Sequence, residues 1–441
     1  MKPGNPCLWV PIPERPQVFR DERYARTPPF TTPLFFPNSR KEIFSYMKDI
    51  TSLDTLFVHA GQAHAWPEQV PTAPPLIPST SFRAESPELL DAILGGQAPG
   101  FTYSRHANPT VHGFSEAVRL LENGETAQAF SSGMAALDAA LFAIHLESGD
   151  HLLLSRDLYG ATINLSEQVW GPMGIQVHTV DAADLAELAH ALTTWQPKGL
   201  LLETLSNPLM KVPDLPAVIA LAHDAGCQVI VDNTFATPVL LRPLTLGADL
   251  VVHSATKYLG GHGDATGGIV VGRSLYEQRL HQYVKLRGSV LSPFDAWLLH
   301  RGLKTLGIRL ERQCQNAAQV AERLSASGEF DRVYYPGLPD HPSHETAKKL
   351  FTGRGFGAVV TIDVPGGREQ VFHLLSHLKV VGSATTVGDV YTLCLYPRIA
   401  SHRNQSPEAL ALMGISDNTL RIAVGLESVD DIVNDILGAM R

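Results

Sequence analysis

The sequence predicts an α/β fold with a mostly parallel central sheet and a second, smaller domain. Between residues 109 and 271, short apolar runs typical of buried strands alternate with stretches of helical periodicity, which favours a parallel sheet with helices on both faces. Several apolar runs end in polar residues, and ligands of such sheets bind beyond the carboxyl ends of the strands. The chain of 441 residues is too long for one ordinary core, so we expect two domains and an appended segment.

The elements are predicted in order along the chain. Helices are predicted after Tyr159 and at residues 86–94, 109–122, 133–147, 184–193 and 215–225. Strands are predicted at residues 127–130, 151–154, 176–180, 199–203, 228–231, 249–253 and 268–271. Beyond residue 281, a smaller α+β domain is predicted from a long helical pattern at 293–325, a strand at 358–364 and a final helix at 429–440.

Residues 1–75 are predicted to form an N-terminal arm outside the body. The first 45 residues are rich in proline, contain scattered aromatic and arginine side chains, and lack the apolar core of a secretory signal. Acidic residues and prolines also argue against a transit peptide. Because apolar side chains such as Trp9 and Phe35 are costly to leave in water, we expect the arm to lie over the body or over a neighbouring subunit.

Composition excludes several classes of function. The chain has 35 basic and 44 acidic residues and a net charge of −9, which argues against nucleic acid or an anionic membrane as the main partner. No run of 18 or more apolar residues is present, so no transmembrane helix is expected. The four cysteines are far apart and, like the 18 histidines, show no metal-ligand spacing. We therefore expect no metal site, free thiols and a cytoplasmic location.

The stretch that follows the strand predicted at residues 249–253 is a candidate site for a carbonyl compound. It reads Ser254-Ala255-Thr256-Lys257, and a glycine-dense loop follows at 260–268. A desolvated lysine is a nucleophile toward carbonyls, and the two hydroxyls before it could hold an anion. Pyridoxal 5'-phosphate (PLP) carries both an aldehyde and a phosphate. A Thr-Lys pair alone is more often part of a solvated loop, so this interpretation depends on residues elsewhere.

Four other segments place suitable groups near strand ends. Residues 129–137 end a strand in Ser-Ser-Gly and open a helix, where free N–H groups could bind phosphate or the serine could simply cap the helix. Tyr159 could stack on a cofactor ring or pack in the core. Asn207 could hydrogen-bond a ring hydroxyl or form part of a turn. Asp232 could pair with a pyridine nitrogen or cap a turn. Each signal is weak alone, and together they favour a PLP site.

The motifs identify a family. They read YSRHANPT, SSGMAA, ETLSNP, VDNTFATP, HSATKYLGGHGD and LRIAVGLES. Over about residues 50–441 the chain resembles the Cys/Met-metabolism group of PLP-dependent enzymes, which includes cystathionine γ-synthase, cystathionine lyases, methionine γ-lyase and O-acetylhomoserine sulfhydrylase. The resemblance implies a fold-type I, aspartate-aminotransferase-like structure with a PLP-binding large domain at 76–280 and a small domain at 281–441. It also implies a homotetramer, a dimer of dimers with active sites shared between subunits.

The resemblance also implies the roles of individual residues. The cofactor would be bound by Tyr103, Arg105, Gly133, Met134, Tyr159, Asn207, Asp232, Ser254, Thr256 and Lys257. Lys257 would form the Schiff base and move protons, and Tyr159 would stack on the ring and act as acid or base. Tyr103 and Arg105 would reach the phosphate of a neighbouring subunit's cofactor. The substrate would contact Arg421, through its carboxylate, and also Thr386 and Tyr103.

The reaction that the resemblance favours is γ-elimination from a γ-substituted L-amino acid, with a sulfur or oxygen leaving group and with a 2-oxo acid and ammonia as products. A γ-replacement synthase or sulfhydrylase is the alternative. Thr385 stands where enzymes of cystathionine often carry Glu, Ala161 stands where methionine γ-lyases carry Cys, and Tyr391 replaces a usual Glu. These departures indicate an altered substrate pocket. An inactive scaffold is disfavoured, because the residues expected to do the chemistry are all present.

Overall fold

The computed structural model describes residues 52–61, 71–400, 402–403 and 405–441. Most of the predicted N-terminal arm, 1–75, lies outside these residues. Within them the chain forms a seven-stranded sheet and a five-stranded sheet, each packed against helices. Among the residues that the structure describes, no helix is both long and apolar enough to pass through a bilayer.

The larger sheet confirms the predicted α/β fold. Its strands are β1 (Thr126–Phe130), β2 (His151–Ser155), β3 (Gln176–Val180), β4 (Gly199–Glu203), β5 (Gln228–Asp232), β6 (Leu250–Ser254) and β7 (Gly268–Gly272). They lie in the order β1-β7-β6-β5-β4-β2-β3. Strands β2 to β6 pair in parallel, whereas β7 runs antiparallel to both of its neighbours. The carboxyl ends of β4, β5 and β6 therefore lie side by side at one edge of the sheet.

The central strands are apolar throughout because helices cover both faces of the sheet. The helices of this part are α1 (Leu53–His59), α2 (Pro87–Leu94), α3 (Pro109–Leu121), α4 (Gly133–Ala143), α5 (Gly160–Leu165), α6 (Leu185–Trp195), α7 (Leu215–Asp224), α8 (Thr237–Leu240), α9 (Glu277–Arg287) and α10 (Pro293–Leu303). In β4, Leu200 and Leu202 join a core that includes residues of α3, α6 and α7. Leu201 joins a second core with residues of α4 and α9 on the opposite face. Such two-sided burial is typical of parallel sheets.

The smaller sheet is mostly antiparallel. Its strands are β8 (Arg332–Tyr334), β9 (Val359–Asp363), β10 (Gly382–Ser383), β11 (Leu393–Leu395) and β12 (Thr419–Ala423), and its order is β10-β11-β12-β9-β8. The helices of this part are α11 (Leu306–Ser327), α12 (His344–Leu350), α13 (Gly367–His377), α14 (Pro407–Met413) and α15 (Val429–Ala439). A third core joins apolar residues of this sheet to α11, α13 and α15. The division of the chain at residue 280 falls within α9 and stays a prediction.

Two predicted helices differ from the structure. The helix expected at residues 293–325 is two helices, α10 and α11, because Thr305 leaves the helical region with φ −115° and ψ 5°. The helix expected at 133–147 ends at Ala143, and His145 adopts a left-handed φ of 60° that a helix cannot continue through. Helical periodicity does not mark either point. The strands predicted at 176–180 and 199–203 have the bounds expected.

Candidate active site

A cavity of about 480 Å³ lies at the carboxyl ends of the parallel strands. It is lined by residues that the sequence analysis selected, which are Gly133, Met134, Tyr159, Asn207, Asp232, Ser254, Thr256, Lys257, Thr386 and Arg421. Most of them come from the larger sheet and its loops, whereas Arg421 lies on β12 of the smaller sheet. The cavity is therefore formed where the two sheets meet, in the position expected of a ligand site in an α/β protein.

Lys257 follows β6 by three residues, and its amine is held inside the cavity. The Nζ atom donates a hydrogen bond to Oγ1 of Thr386 at 2.9 Å. Burial lowers the pKa of Lys257, and the nearby positive charge of Arg421 lowers it further. A lower pKa leaves more of the amine neutral near physiological pH, and the neutral amine is the form that attacks a carbonyl.

The start of α4 forms an anion-binding surface beside Lys257. Ser132 caps the helix by accepting the N–H of Ala135 at 3.1 Å, so the capping role is real, but the first N–H groups of the helix still have no partner within it. A Cβ on Gly133 would stand 2.7 Å from Cβ of Ser254, so only glycine lets the helix start approach β6 this closely. The hydroxyl of Thr256 is bonded to the backbone of Gly267. The N–H groups at the helix start therefore suit a phosphate.

Asp232 ends β5 with its carboxylate held by Thr234. Oδ1 accepts hydrogen bonds from the backbone N–H of Thr234 at 3.0 Å and from its hydroxyl at 2.5 Å. Burial raises the pKa of Asp232, whereas the two donors of Thr234 and the charge of His253 oppose that rise. A carboxylate stabilised in this way suits a cationic partner such as a protonated pyridine nitrogen.

Glu203, which the sequence analysis did not select, lines the same cavity. It ends β4 directly opposite Asp232 in the parallel register, and its Oε1 accepts the backbone N–H of Tyr159 at 2.8 Å. Burial and the adjacent charge of Asp232 raise the pKa of Glu203 well above its ordinary value. A carboxylate after four apolar residues is visible in the sequence. That Glu203 lies beside Asp232 depends on the order of the strands in the sheet, which could not be predicted from the sequence.

Arg421 is a buried cation with donor capacity toward the cavity. Only 4% of the residue is exposed. Its Nη1 donates to Oδ1 of Asn207 at 3.1 Å and its Nη2 to the carbonyl oxygen of Thr386 at 2.9 Å, and Nε has no partner among the described residues. Burial lowers the pKa of Arg421 to about 10. A guanidinium in this state suits a carboxylate ligand. Because the amide oxygen of Asn207 is engaged, its amide nitrogen is the group that can donate to a ring oxygen.

The aromatic residues predicted for the site are placed differently. Tyr159 lines the cavity, precedes α5 and is 42% exposed. Tyr103 and Arg105 do not line it: Tyr103 is 41% exposed, and Arg105 donates through Nη1 to the carbonyl oxygen of Lys285 at 2.7 Å. The Arg105 guanidinium lies 5.6 Å from the centre of the Tyr103 ring. Their predicted action on a neighbouring subunit's cofactor stays a prediction.

The wall of the cavity near Arg421 is mostly small or apolar. It contains Thr385, Val387, Leu395 and Ala400. Of the three departures noted in the sequence, Thr385 lines the cavity, while Ala161 and Tyr391 do not. Thr385 is therefore the departure placed to contact a substrate.

Comparison with known proteins identifies the family. Residues 54–441 match the family model described as "Cys/Met metabolism PLP-dependent enzyme". The chain belongs to this family. It is 40% identical over 385 residues to the O-succinylhomoserine sulfhydrylase of Pseudomonas aeruginosa, and this match covers 87% of this chain and 94% of the relative. It is 43% identical over 342 residues to the cystathionine γ-lyase of Bacillus subtilis, and this match covers 77% of this chain and 89% of the relative.

A solved structure connects the family to the cofactor. The putative O-acetylhomoserine (thiol)-lyase of Campylobacter jejuni superposes with a TM-score of 0.84 at 28% identity over 88% of this chain and 99% of that one, and it contains N'-pyridoxyl-lysine-5'-monophosphate. PLP is thus the cofactor of the family, as the sequence predicted. The residues of this cavity fit it, because a lysine amine, a helix start, a carboxylate and an arginine with a free buried donor converge on one space.

Proposed function

We propose that the protein is a PLP-dependent γ-elimination lyase, which converts a γ-substituted L-amino acid into a 2-oxo acid, ammonia and the released substituent. The observation that carries the proposal is that Lys257, Thr386 and the buried Arg421 line one cavity, in which the Lys257 amine is bonded to the Thr386 hydroxyl. The likeness to a cystathionine γ-lyase at 43% identity supports elimination.

Substrate orientation is the task of Arg421 and Thr386. The guanidinium is held by Asn207 and by the backbone of Thr386, so the orientation of its remaining N–H groups is fixed. A bound α-carboxylate would take these donors and complete the hydrogen bonds of the buried cation. This contact would place the Cα–H bond near Nζ of Lys257, which Thr386 holds in the same cavity.

Proton movement is the task of Lys257 and Tyr159. PLP, when bound, supplies the electron sink that makes the Cα and Cβ protons acidic. The neutral amine of Lys257 would accept the Cα proton, return it to the bound substrate on the electron-sink side and, once neutral again, accept a Cβ proton, after which the Cγ substituent can leave with its bonding electrons. Tyr159, whose ring lines the cavity, is placed to donate a proton to the departing sulfur or oxygen. Water then releases the 2-oxo acid and ammonia, which balances the reaction.

The leaving group is proposed to be uncharged at its far end. Thr385, Leu395 and Ala400 present hydroxyl and apolar surface in the part of the cavity near Arg421. A methylthio or acetoxy substituent matches such a wall, whereas a distal ammonium group would lack the carboxylate that cystathionine enzymes often place at the Thr385 position.

We further propose a cytoplasmic homotetramer with large and small domains divided near residue 280. The cysteines that the structure describes are free and buried, which suits a reducing compartment. Tyr103 and Arg105 are exposed in the single chain and would complete a neighbouring subunit's site. Loss of cofactor affinity in both Y103F and R105M, together with dissociation on dilution, would support this assembly.

The alternative function is γ-replacement, which the 40% identity to an O-succinylhomoserine sulfhydrylase favours. The test is a substrate panel with purified holoenzyme: methionine, homocysteine, cystathionine, cysteine, O-acetylhomoserine and O-succinylhomoserine, each with and without a thiol. Formation of 2-oxobutanoate without thiol supports the lyase, and the substrate that gives the highest kcat/KM names the leaving group. An amino-acid product that forms only with thiol refutes the lyase proposal and establishes the synthase.

A further inference from the structure

Two carboxyl groups lie side by side at the edge of the central sheet. Glu203 and Asp232 end the adjacent strands β4 and β5, are partners in the parallel register, and both line the cavity. Neighbouring strands are about 4.8 Å apart, so the two side chains share one low-dielectric space. Asp157, which is paired with Lys211 at 3.0 Å, adds a third acidic group nearby. Two carboxylates this close are costly to keep ionised together.

The groups around Glu203 and Asp232 indicate which of the two carries the negative charge. One oxygen of Asp232 accepts the N–H and the hydroxyl of Thr234, and these bonds, together with the charge of His253, oppose the rise that burial causes in the pKa of Asp232. Glu203 receives the backbone N–H groups of Tyr159 and Asn207, and the neighbouring charges that act on it are the carboxylates of Asp232 and Asp157. Burial and the charge of Asp232 both raise the pKa of Glu203. The proton of the pair is therefore more stable on Glu203.

The hydrogen bond to Tyr159 allows a neutral Glu203 to position that residue. Tyr159 directly precedes α5, where no side chain caps the helix, and the Glu203 carboxyl takes up its N–H at 2.8 Å. This bond fixes the backbone from which the Tyr159 ring extends into the cavity. A neutral carboxyl can do so without adding a second negative charge beside Asp232.

We propose that Glu203 is a positioning residue, kept as a neutral carboxylic acid, that orients Tyr159 and leaves Asp232 as the ionised partner of the cofactor ring. The proposal rests on the cofactor and site residues of the proposed function, but it does not depend on which substituent leaves or on elimination as opposed to replacement.

The test compares E203Q with E203L. Glutamine is neutral and keeps an oxygen that can accept the Tyr159 N–H, whereas leucine has a similar volume and no acceptor. Three readouts need no substrate: the Kd of PLP for the apoenzyme, the pH midpoint of the absorption band of the bound cofactor, and the infrared band of a protonated carboxyl at neutral pH.

We expect E203Q to keep the Kd within about twofold and to move the pH midpoint very little, because it replaces one neutral group with another. E203L should raise the Kd about tenfold through the lost acceptor. The protonated-carboxyl infrared band of the wild type should lose intensity in both variants.

The opposite set of results would overturn the proposal. If Glu203 is ionised, E203Q removes a negative charge beside the cofactor, the pH midpoint falls by about one unit or more, and no carboxylic-acid band is lost. Equal Kd values in E203Q and E203L would show that the bond to Tyr159 has no positioning role. Because these readouts need no turnover, a failure of the lyase proposal would leave them unaffected.

Discussion

Replacement of Arg421 by methionine tests the substrate contact on which the reaction depends. The guanidinium is buried, donates to Asn207 at 3.1 Å and to Thr386 at 2.9 Å, and has a free Nε. A hydrogen bond between charged groups contributes about 1.5–3 kcal/mol, and a bidentate pair makes two of them. Loss of such a pair should therefore lower kcat/KM by about 10²–10⁴-fold. R421K should recover only a small part of the lost kcat/KM, because an ammonium cannot form the two parallel hydrogen bonds of a planar guanidinium.

The assay measures 2-oxo acid release from the best substrate of the panel and from its α-carboxamide. Wild type should prefer the carboxylate strongly, and R421M should lose that preference. R323M removes an arginine whose pairing with Asp430 is exposed, and it serves as the matched control for folding. If R421M kept kcat/KM within about threefold, or lost activity equally on both compounds, the assignment of Arg421 to the carboxylate would be refuted.

Three further predictions follow from the site. T386V removes the hydroxyl that holds the Lys257 amine at 2.9 Å, so kcat/KM should fall about 3–10-fold while the Kd of PLP stays unchanged; an unchanged kcat/KM would contradict this role. G133A places a Cβ 2.7 Å from Cβ of Ser254, so the apoenzyme should lose about tenfold in affinity for PLP but less for pyridoxal, which lacks the phosphate; equal losses would argue against a phosphate site at α4. In the folded apoenzyme the pKa of Lys257 lies below its ordinary 10.5, so the folded chain binds fewer protons than the unfolded chain between these values. The stability advantage of K257M over wild-type apoenzyme, measured by urea unfolding, should therefore shrink as the pH rises through that window, and a constant difference would contradict it.

The sequence predicted those features that depend on local pattern. Strand β4 has its expected bounds because its three leucines, Leu200 to Leu202, cross a sheet that is buried on both faces. Lys257, Asp232 and Tyr159 could be selected because each lies at the carboxyl end of a buried strand or within four residues of it. The chain-wide alternation of strand and helix was sufficient to predict that these strand ends share one edge of a sheet.

Features that depend on strand order or on close approach could not be predicted. Glu203 faces Asp232 only because β4 and β5 are neighbours, and the periodicity of either strand carries no information on its partner. The break between α10 and α11 occurs inside a continuous helical pattern, where Gly302 approaches the backbone of Gly260 so closely that a Cβ would stand 2.2 Å from its carbonyl oxygen. That contact joins segments 42 positions apart, and no local signal marks it.

The most direct test of γ-elimination is one incubation of holoenzyme with the best substrate of the panel in deuterated water, without any added thiol. The products are then identified by NMR. A γ-elimination gives 2-oxobutanoate and ammonia in equal amounts, with solvent deuterium on both the third and the fourth carbon of the oxo acid, because the Cβ proton is removed and Cγ is protonated after the substituent leaves. Pyruvate in place of 2-oxobutanoate, or no oxo acid until a thiol is added, would contradict it.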